Sequence, residues 1–352
     1  MRKKYLVITA ALSLSLTFAG CSDSNSEEAN QGNVVKVYNW GDYIDEDVIA
    51  QFEEETGIDV IYDTFSTNEE MYAKIASDPS LYDVICPSDY MIQKMIENNL
   101  LSEINWDNVP NIENIDSLMM DRVSDFDPGN KYTVPYTYGT VGILYNTSMV
   151  DEEITSWDVL WDETYKNNII MQDSVRDAFA VALKKLGYSL NSTNEHELEQ
   201  AKDLLHEQYP LVKAYAIDEV RDKMINGAAA LGVIYSGEYL YCSEENPDLA
   251  YVVPEEGSNL WIDGWVITSG SKNKENAEKW LDFLARPEIA LKNFEYITYS
   301  TPNVAAQEMI DEEYLEDPAV FPDEEIINRC EIFQYLGQEM EDLYYEMWKL
   351  VK

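Results

Sequence analysis

Positive charge, cysteine and histidine are what this sequence lacks. Against 67 Asp and Glu residues it sets only 24 Lys and Arg, a net charge of -43 at pH 7. A balance so lopsided repels phosphate backbones and anionic lipid, which excludes nucleic acid as a partner. It leaves a solvated surface whose field concentrates cations. Cys21 falls at the end of a leader, and the other cysteines, Cys86, Cys242 and Cys330, are odd in number and widely spaced. At most one bridge can form among them, so a disulfide framework is excluded. Cys86 lies in the apolar run Tyr82-Asp83-Val84-Ile85-Cys86 and reads as a buried strand residue rather than a nucleophile. His196 and His206 share a charged helical stretch with no partner at a metal-ligand spacing. Neither a metal nor a cofactor is implied. Ile234-Tyr235-Ser236-Gly237 lacks the first glycine of a nucleophile elbow, and no glycine-rich phosphate loop follows a strand. The enzyme reading is thereby reduced to a secreted, carboxylate-dependent hydrolase, and pairs of acids carry little specificity in so acidic a chain.

The amino-terminal end bears on location. Arg2, Lys3 and Lys4 precede an apolar stretch, Tyr5 to Phe18, that is too short to span a bilayer, and Ala19-Gly20-Cys21 follows. Small residues directly before a cysteine resemble a lipoprotein cleavage site, although Phe18 stands where an aliphatic residue is usual. Residues 1–20 are expected to be a signal peptide and Cys21 the lipidated first residue of an extracytoplasmic protein. Residues 21–33, polar and free of aromatics, suit a flexible tether from the membrane to a folded body.

From residue 34 strands and helices alternate. Val34 to Tyr38 is a short β-branched strand, Asp47 to Thr56 has helical periodicity stopped by Gly57, and Ile58 to Tyr62 is again a strand. Asn68 is placed to cap a helix through Ser77, Tyr82 to Cys86 reads as a strand, and Met91 to Asn98 as a helix. Further on come a strand at Val141 to Asn146, a helix at Asp177 to Leu186, and strands at Ala230 to Tyr235 and Trp265 to Ile267. A helix at Lys274 to Leu284 breaks at Pro287 and resumes to Ile297, and Asp323 to Lys352 reads as a long amphipathic helical region. The pattern is α/β. Chain switches between domains are expected at Tyr138-Gly139 and near Gly264.

Three fragments place an aromatic residue beside a carboxylate: Trp40-Gly41-Asp42-Tyr43, Ser88-Asp89-Tyr90 and Trp261-Ile262-Asp263. Ring faces attract an organic cation and its methylenes, while carboxylates supply charge and acceptors. The first two fragments follow strands, on the loops where open α/β sheets bind ligands. Asp89 reads as a helix cap, and Trp106, Trp157, Trp161 and Trp280 as packing residues.

Several stretches resemble the spermidine/putrescine-binding proteins of polyamine ABC importers: Val37 to Trp40 with Tyr43, Phe52 to Ile58, Tyr82-Asp83-Val84, Pro87-Ser88, Ser156 to Trp161, and Thr301-Pro302-Asn303. The resemblance runs from about residue 34 to the carboxyl end. It implies a two-lobed periplasmic-binding-protein fold, with two α/β domains joined by crossing hinge strands and a ligand cleft between them. The implied division is 34–138 for lobe 1, 139–262 for lobe 2, 263–305 for a return to lobe 1, and 306–352 for a helical segment on lobe 2. The ligand residues it implies are Trp40, Asp42, Tyr43, Ser88, Tyr90, Ser174, Asp177, Tyr235, Trp261, Asp263, Tyr299 and Gln334. Ser174 stands where the family has a second acid, which leaves the choice between spermidine and putrescine open. The implied partners are a polyamine, the permease of an ABC importer and, through Cys21, a membrane; a monomer suits such a delivery protein. A binding protein of the same fold for a sugar or an amino acid derivative is the alternative.

Overall fold

The computed structural model describes residues 33–352, apart from 218. Through the first half strands and helices alternate: β1 (Val34–Trp40), α1 (Glu46–Thr56), β2 (Asp59–Phe65), α2 (Asn68–Ser77), β3 (Val84–Ile85), α3 (Asp89–Glu97), β4 (Leu101–Ser102), α4 (Ser117–Val123) and β5 (Val134–Asn146). There follow β6 (Ile169–Gln172), α5 (Val175–Lys185), α6 (Glu195–Gln208), β7 (Val212–Ala216), α7 (Glu219–Ile225), β8 (Leu231–Tyr235), α8 (Ser236–Glu245), β9 (Leu249–Val252) and β10 (Leu260–Thr268). The chain ends in helices: α9 (Lys274–Leu284), α10 (Pro287–Ile297), α11 (Val304–Gln307), α12 (Glu312–Leu315), α13 (Glu324–Arg329) and α14 (Gln338–Trp348).

Local chemistry sets many of these bounds. Asp45 caps α1 by accepting the Asp47 N–H (2.9 Å), and Gly57, at φ 66°, closes it with an N–H to the Glu53 carbonyl. Thr67 rather than Asn68 caps α2, its hydroxyl accepting the Glu70 N–H at 3.1 Å. That one-residue shift leaves the Asn68 side chain for another task.

Two parallel strand sets are stitched together by two long strands. β1 pairs in parallel with β2 and β3, and β10 joins this set antiparallel to β3 through Val266 and Ile267. On the other side β6 pairs in parallel with β7 and β8, and β5 joins antiparallel to β8 from Val141 to Tyr145. The first half of β5 pairs antiparallel with the first half of β10, from Leu260 opposite Thr140 to Trp265 opposite Val134. Both strands thus leave one set and enter the other, which makes them the crossing hinge of a two-lobed α/β fold.

The period-2 alternation of strand side chains explains the core. Val35 and Val37 enter one apolar cluster with Phe52, Trp265 and Trp280, while Tyr38, between layers, enters another with Ile85 and Val266. In the second set Ile143, Met171 and Val233 face Trp157 and Phe179, and Leu144, Ile170 and Ile234 face the opposite way. All nine residues of β10 are buried, as expected of a strand covered on both faces.

Other expected bounds change as well: the strands expected from Val141 and from Trp265 begin at Val134 and Leu260. The Tyr82 to Cys86 strand contracts to Val84–Ile85. The carboxyl-terminal helical region is split, because residues 330–337 run extended: Glu331 donates its N–H to Ser258 O and accepts from Leu260 N at 2.9 Å each, and this sheet-edge pairing outcompetes the helix. Trp157 and Trp280 are fully buried, and Trp106 and Trp161 pack half-buried against the cores. Cys86, Cys242 and Cys330 are buried free thiols.

Candidate functional site

The site grows out of the hinge. Trp261 and Asp263 are two apart on β10 and share one face, 8% and 7% exposed. A register shift between Asp263 and Gly264 interrupts the pairing of β10 with β5, and an isolated bridge pairs Asp263 with Ser88. Gly139 on β5 is required beneath the indole, since a Cβ there would come within 2.5 Å of Trp261 Cζ2 and 2.6 Å of Ser236 Oγ.

Asp263 is the centre of a buried hydrogen-bond chain. Tyr43 donates its phenol proton to Asp263 Oδ2 at 2.7 Å and lies 2.5 Å from Thr137 Oγ1. Because that proton is committed, Thr137 is the donor in the second bond. Burial pushes the Asp263 carboxyl up to about 6, with Tyr43 and the Ser88 hydroxyl opposing the rise. The Tyr43 phenol is held well above its ordinary value by burial and then by Asp263.

A row of rings leads from this acid to a second one. Tyr43 meets Tyr299 edge-on at 5.8 Å, Tyr299 tilts against Trp261 at 5.3 Å, and Trp261 meets Tyr235 edge-on at 6.4 Å. Tyr235, at the end of β8, donates to Asp177 Oδ2 at 2.9 Å. Asp177 is 4% exposed and its Oδ1 has no hydrogen-bond partner. Burial raises its carboxyl, opposed by Ser174, Tyr235, Arg176 and Asn259. Ser174 is the N-cap of α5, accepting the Asp177 N–H at 3.4 Å. Tyr299 is fixed from behind: Thr298, left-handed at φ 65°, bonds the Gly237 carbonyl at 3.2 Å, and Gly237 leaves room for the ring where any Cβ would fall 1.7 Å from its Cδ1.

A second group stands at the start of α3. Asn68 donates to Ser88 Oγ at 3.1 Å and to the Tyr90 phenol at 3.2 Å, and accepts the Ser88 N–H. Tyr90 passes its proton to Glu69 Oε1 at 3.1 Å. Trp40 closes β1 and leans on Phe65 at 4.5 Å. Its Nε1, like that of Trp261, is buried without a partner, so the unmatched atoms include donors as well as Asp177 Oδ1 and Asn259 Oδ1.

Tyr43, Asp263, Tyr299, Trp261, Tyr235, Asp177 and Ser174 form one continuous set, and Ser88 joins it through Asp263. Asp42, left-handed at φ 51°, is exposed and makes no hydrogen bond to the set. Gln334 is exposed too; its carbonyl accepts from Arg176 at 3.2 Å and its N–H donates to Asn191. Asp89 is not the cap expected of it. It is 1% exposed, and one oxygen accepts the Ile262 N–H of β10 at 3.1 Å while the other takes the Tyr90 N–H. Residues that sequence reasoning missed are Thr137, Glu69, Asn259 and Glu238, whose Oε1 accepts from Tyr299 at 3.0 Å. Glu238 lies three residues beyond the end of β8, in the first turn of α8, and that position at a strand's carboxyl end is the one signal the sequence carries for it.

The set is suited to holding a ligand. The Cys86 thiol is pushed well above its ordinary range by burial, and no group of three metal-binding side chains occurs among the described residues. Two lobes joined by crossing strands, with rings and acids gathered at the crossing, define a solute-binding protein of the periplasmic type. The chain belongs to that class by descent: the model of the bacterial extracellular solute-binding proteins matches residues 47–322. It is 34% identical to a spermidine/putrescine-binding periplasmic protein of Salmonella typhimurium, over 99% of this chain and 98% of that one. A putrescine-binding periplasmic protein of Pseudomonas aeruginosa is 29% identical over 96% and 97% of the two chains. Among solved structures, a spermidine/putrescine ABC transporter substrate-binding protein of Streptococcus pneumoniae superposes with a TM-score of 0.84 at 42% identity, covering 91% of this chain and 98% of that one. The protein is an extracytoplasmic solute-binding protein and not an enzyme.

Proposed function

We propose that the protein captures a linear polyamine, spermidine or putrescine, and delivers it to the permease of an ABC importer. The observation that carries this reading is the aromatic row with a buried carboxylate at either end, Asp263 and Asp177. Carboxylates buried without counterions cost several kcal/mol each, roughly. Ammonium groups of a ligand offset that cost, while its methylenes lie against the rings for about 0.5 to 2 kcal/mol per cationic contact. The relatives named for spermidine and putrescine support the same ligand class. Trp40, Ser88, Tyr90 and Gln334 complete the proposed contacts, with Asp42 reaching the ligand only if its loop moves. Ser174 supplies a hydroxyl where a second acid would sit, so Asp177 alone faces that terminal ammonium.

The lobes are 34–138 with 263–305 and 139–262 with 306–352, and acids buried without a counterion disfavour their closed form while it is empty. The polyamine stabilises the closed form by bridging them, and closure is the signal that the permease reads. Cys21 and residues 1–33 lie outside the described residues apart from Asn33; we infer that the monomeric protein is tethered there by lipid to the membrane, which a Cys21→Ala variant would test by moving the protein to the soluble fraction. For the ligand, a thermal-shift screen of the mature chain against putrescine, spermidine, spermine, amino acids and sugars is the direct test. Stabilisation by a polyamine and not by the others is the expected result; stabilisation by a sugar alone overturns it.

A further inference from the structure

A phenol has one proton, and at this site each is already committed. Tyr43 donates to Asp263 (2.7 Å), Tyr235 to Asp177 (2.9 Å), Tyr299 to Glu238 (3.0 Å) and Tyr90 to Glu69 (3.1 Å). The first two acids are the proposed ammonium partners. The other two are not part of the row of ligand contacts. Glu238 is engaged on both oxygens, since Oε2 accepts from Arg221 at 3.1 Å, and Glu69 is an exposed residue of the first turn of α2.

We propose that Glu69 and Glu238 determine specificity through Tyr90 and Tyr299. Each acid accepts the one hydrogen bond its phenol can donate, so the hydroxyl oxygen, which at Tyr90 also accepts from Asn68, meets a ligand as an acceptor and never as a donor. A cleft so wired accepts N–H groups of an ammonium. Its phenols offer nothing to the carboxylate of a diamino acid such as ornithine, whose oxygens would face phenol oxygens, and the unmatched donors left in the site are the indole N–H groups of Trp40 and Trp261. The inference rests on the polyamine reading and adds the basis on which the site tells a polyamine from an amino acid bearing the same amines.

Arg221 makes Glu238 the sharper test. Arginine only donates, so in Glu238→Gln it claims the amide oxygen and turns the amide N–H toward Tyr299. Tyr299 then accepts from the amide and directs its own proton into the cleft, with almost no change in shape. Calorimetry should show spermidine binding about 10- to 100-fold weaker in E238Q, the range for a hydrogen bond to a charged group. The loss should vanish when E238Q is placed in a Tyr299→Phe background, because the acid then has no hydroxyl to act on. A bare electrostatic role for Glu238 predicts the same loss with or without that hydroxyl. E69A, at an exposed position, should weaken spermidine several-fold and lose its effect in Tyr90→Phe. E152Q, which alters the Tyr165–Glu152 pair away from the row, should bind as the wild type does. Additive effects in both double variants, or an unchanged spermidine Kd in both E238Q and E69A, overturn the proposal. A wild type that binds no polyamine removes the functional reading and this inference together, whereas binding that these variants leave untouched removes this inference alone.

Discussion

Replacing Asp263 with Asn should stabilise the empty protein while weakening its hold on ligand. The carboxyl rises from an ordinary 3.8 to about 6 in the fold, chiefly through burial. A folded-state value above the unfolded one means that the folded chain binds the proton more tightly, so ionisation destabilises it. The penalty is absent below the unfolded value, develops between the two, and is complete above about pH 6. At 1.36 kcal/mol per unit the rise amounts to about 3 kcal/mol. Asn keeps the shape and an oxygen for the Tyr43 proton, but carries no charge to desolvate. Without ligand, therefore, the wild type and Asp263→Asn should melt alike near pH 4 and diverge as pH rises. By pH 7.5 the variant should be ahead by up to about 3 kcal/mol, or about 4 °C for a chain of this length. Spermidine should reverse the order, because the variant loses one partner of a buried charge pair, about 2 to 5 kcal/mol of affinity. Differential scanning calorimetry from pH 4 to 8, with and without spermidine, reads both effects. Parallel melting curves across that range, or a variant less stable than wild type at pH 7.5 without ligand, would refute the reasoning.

The same titration makes spermidine affinity of the wild type fall below about pH 6, since a bound proton must leave Asp263 before the ammonium pairs with it; the slope, read by calorimetry, should approach tenfold per pH unit, about 1.4 kcal/mol. Gly237→Ala sets a methyl 1.7 Å from the Tyr299 ring, so about 1 to 3 kcal/mol of stability and a large part of spermidine binding should go together in urea titration and calorimetry. Asp83 accepts from Lys36 N, Ser271 Oγ, and the Lys272 and Asn273 backbones, and is buried; Asp83→Ala orphans these donors and should cost about 3 kcal/mol or more in urea unfolding. Lys94 on α3 joins Glu341 on α14 at 3.2 Å and lies over the Tyr72 and Tyr335 rings at 4.9 Å each. Lys94→Met should speed spermidine release about threefold or more in stopped flow with little change in the association rate.

The three aromatic and acid fragments show why some of the site was legible and some was not. Trp261 and Asp263 lie inside β10, where residues two apart must share a face, so their adjacency in sequence is adjacency in space. Trp40 and Asp42 have the same spacing, but β1 ends at Trp40 and the chain turns through left-handed Asp42. The alternation stops there, and Asp42 points to solvent. Ser88-Asp89-Tyr90 begins a helix, where neighbours diverge by about 100°. Its acid turns to the Ile262 N–H, a residue 173 positions away, and no local pattern encodes that partner. Glu69, Glu238 and Thr137 have partners just as distant in sequence, since each meets a tyrosine that another part of the chain brings to it: Tyr90 on α3, Tyr299 after α10 and Tyr43 after β1. The fold was legible because hydrophobic period and caps are local. The residues that touch a ligand were partly legible because strand ends gather them. What escaped was the layer that sets the direction of each phenol's proton. That layer exists only in three dimensions, and in so acidic a chain no single carboxylate announces itself as part of it.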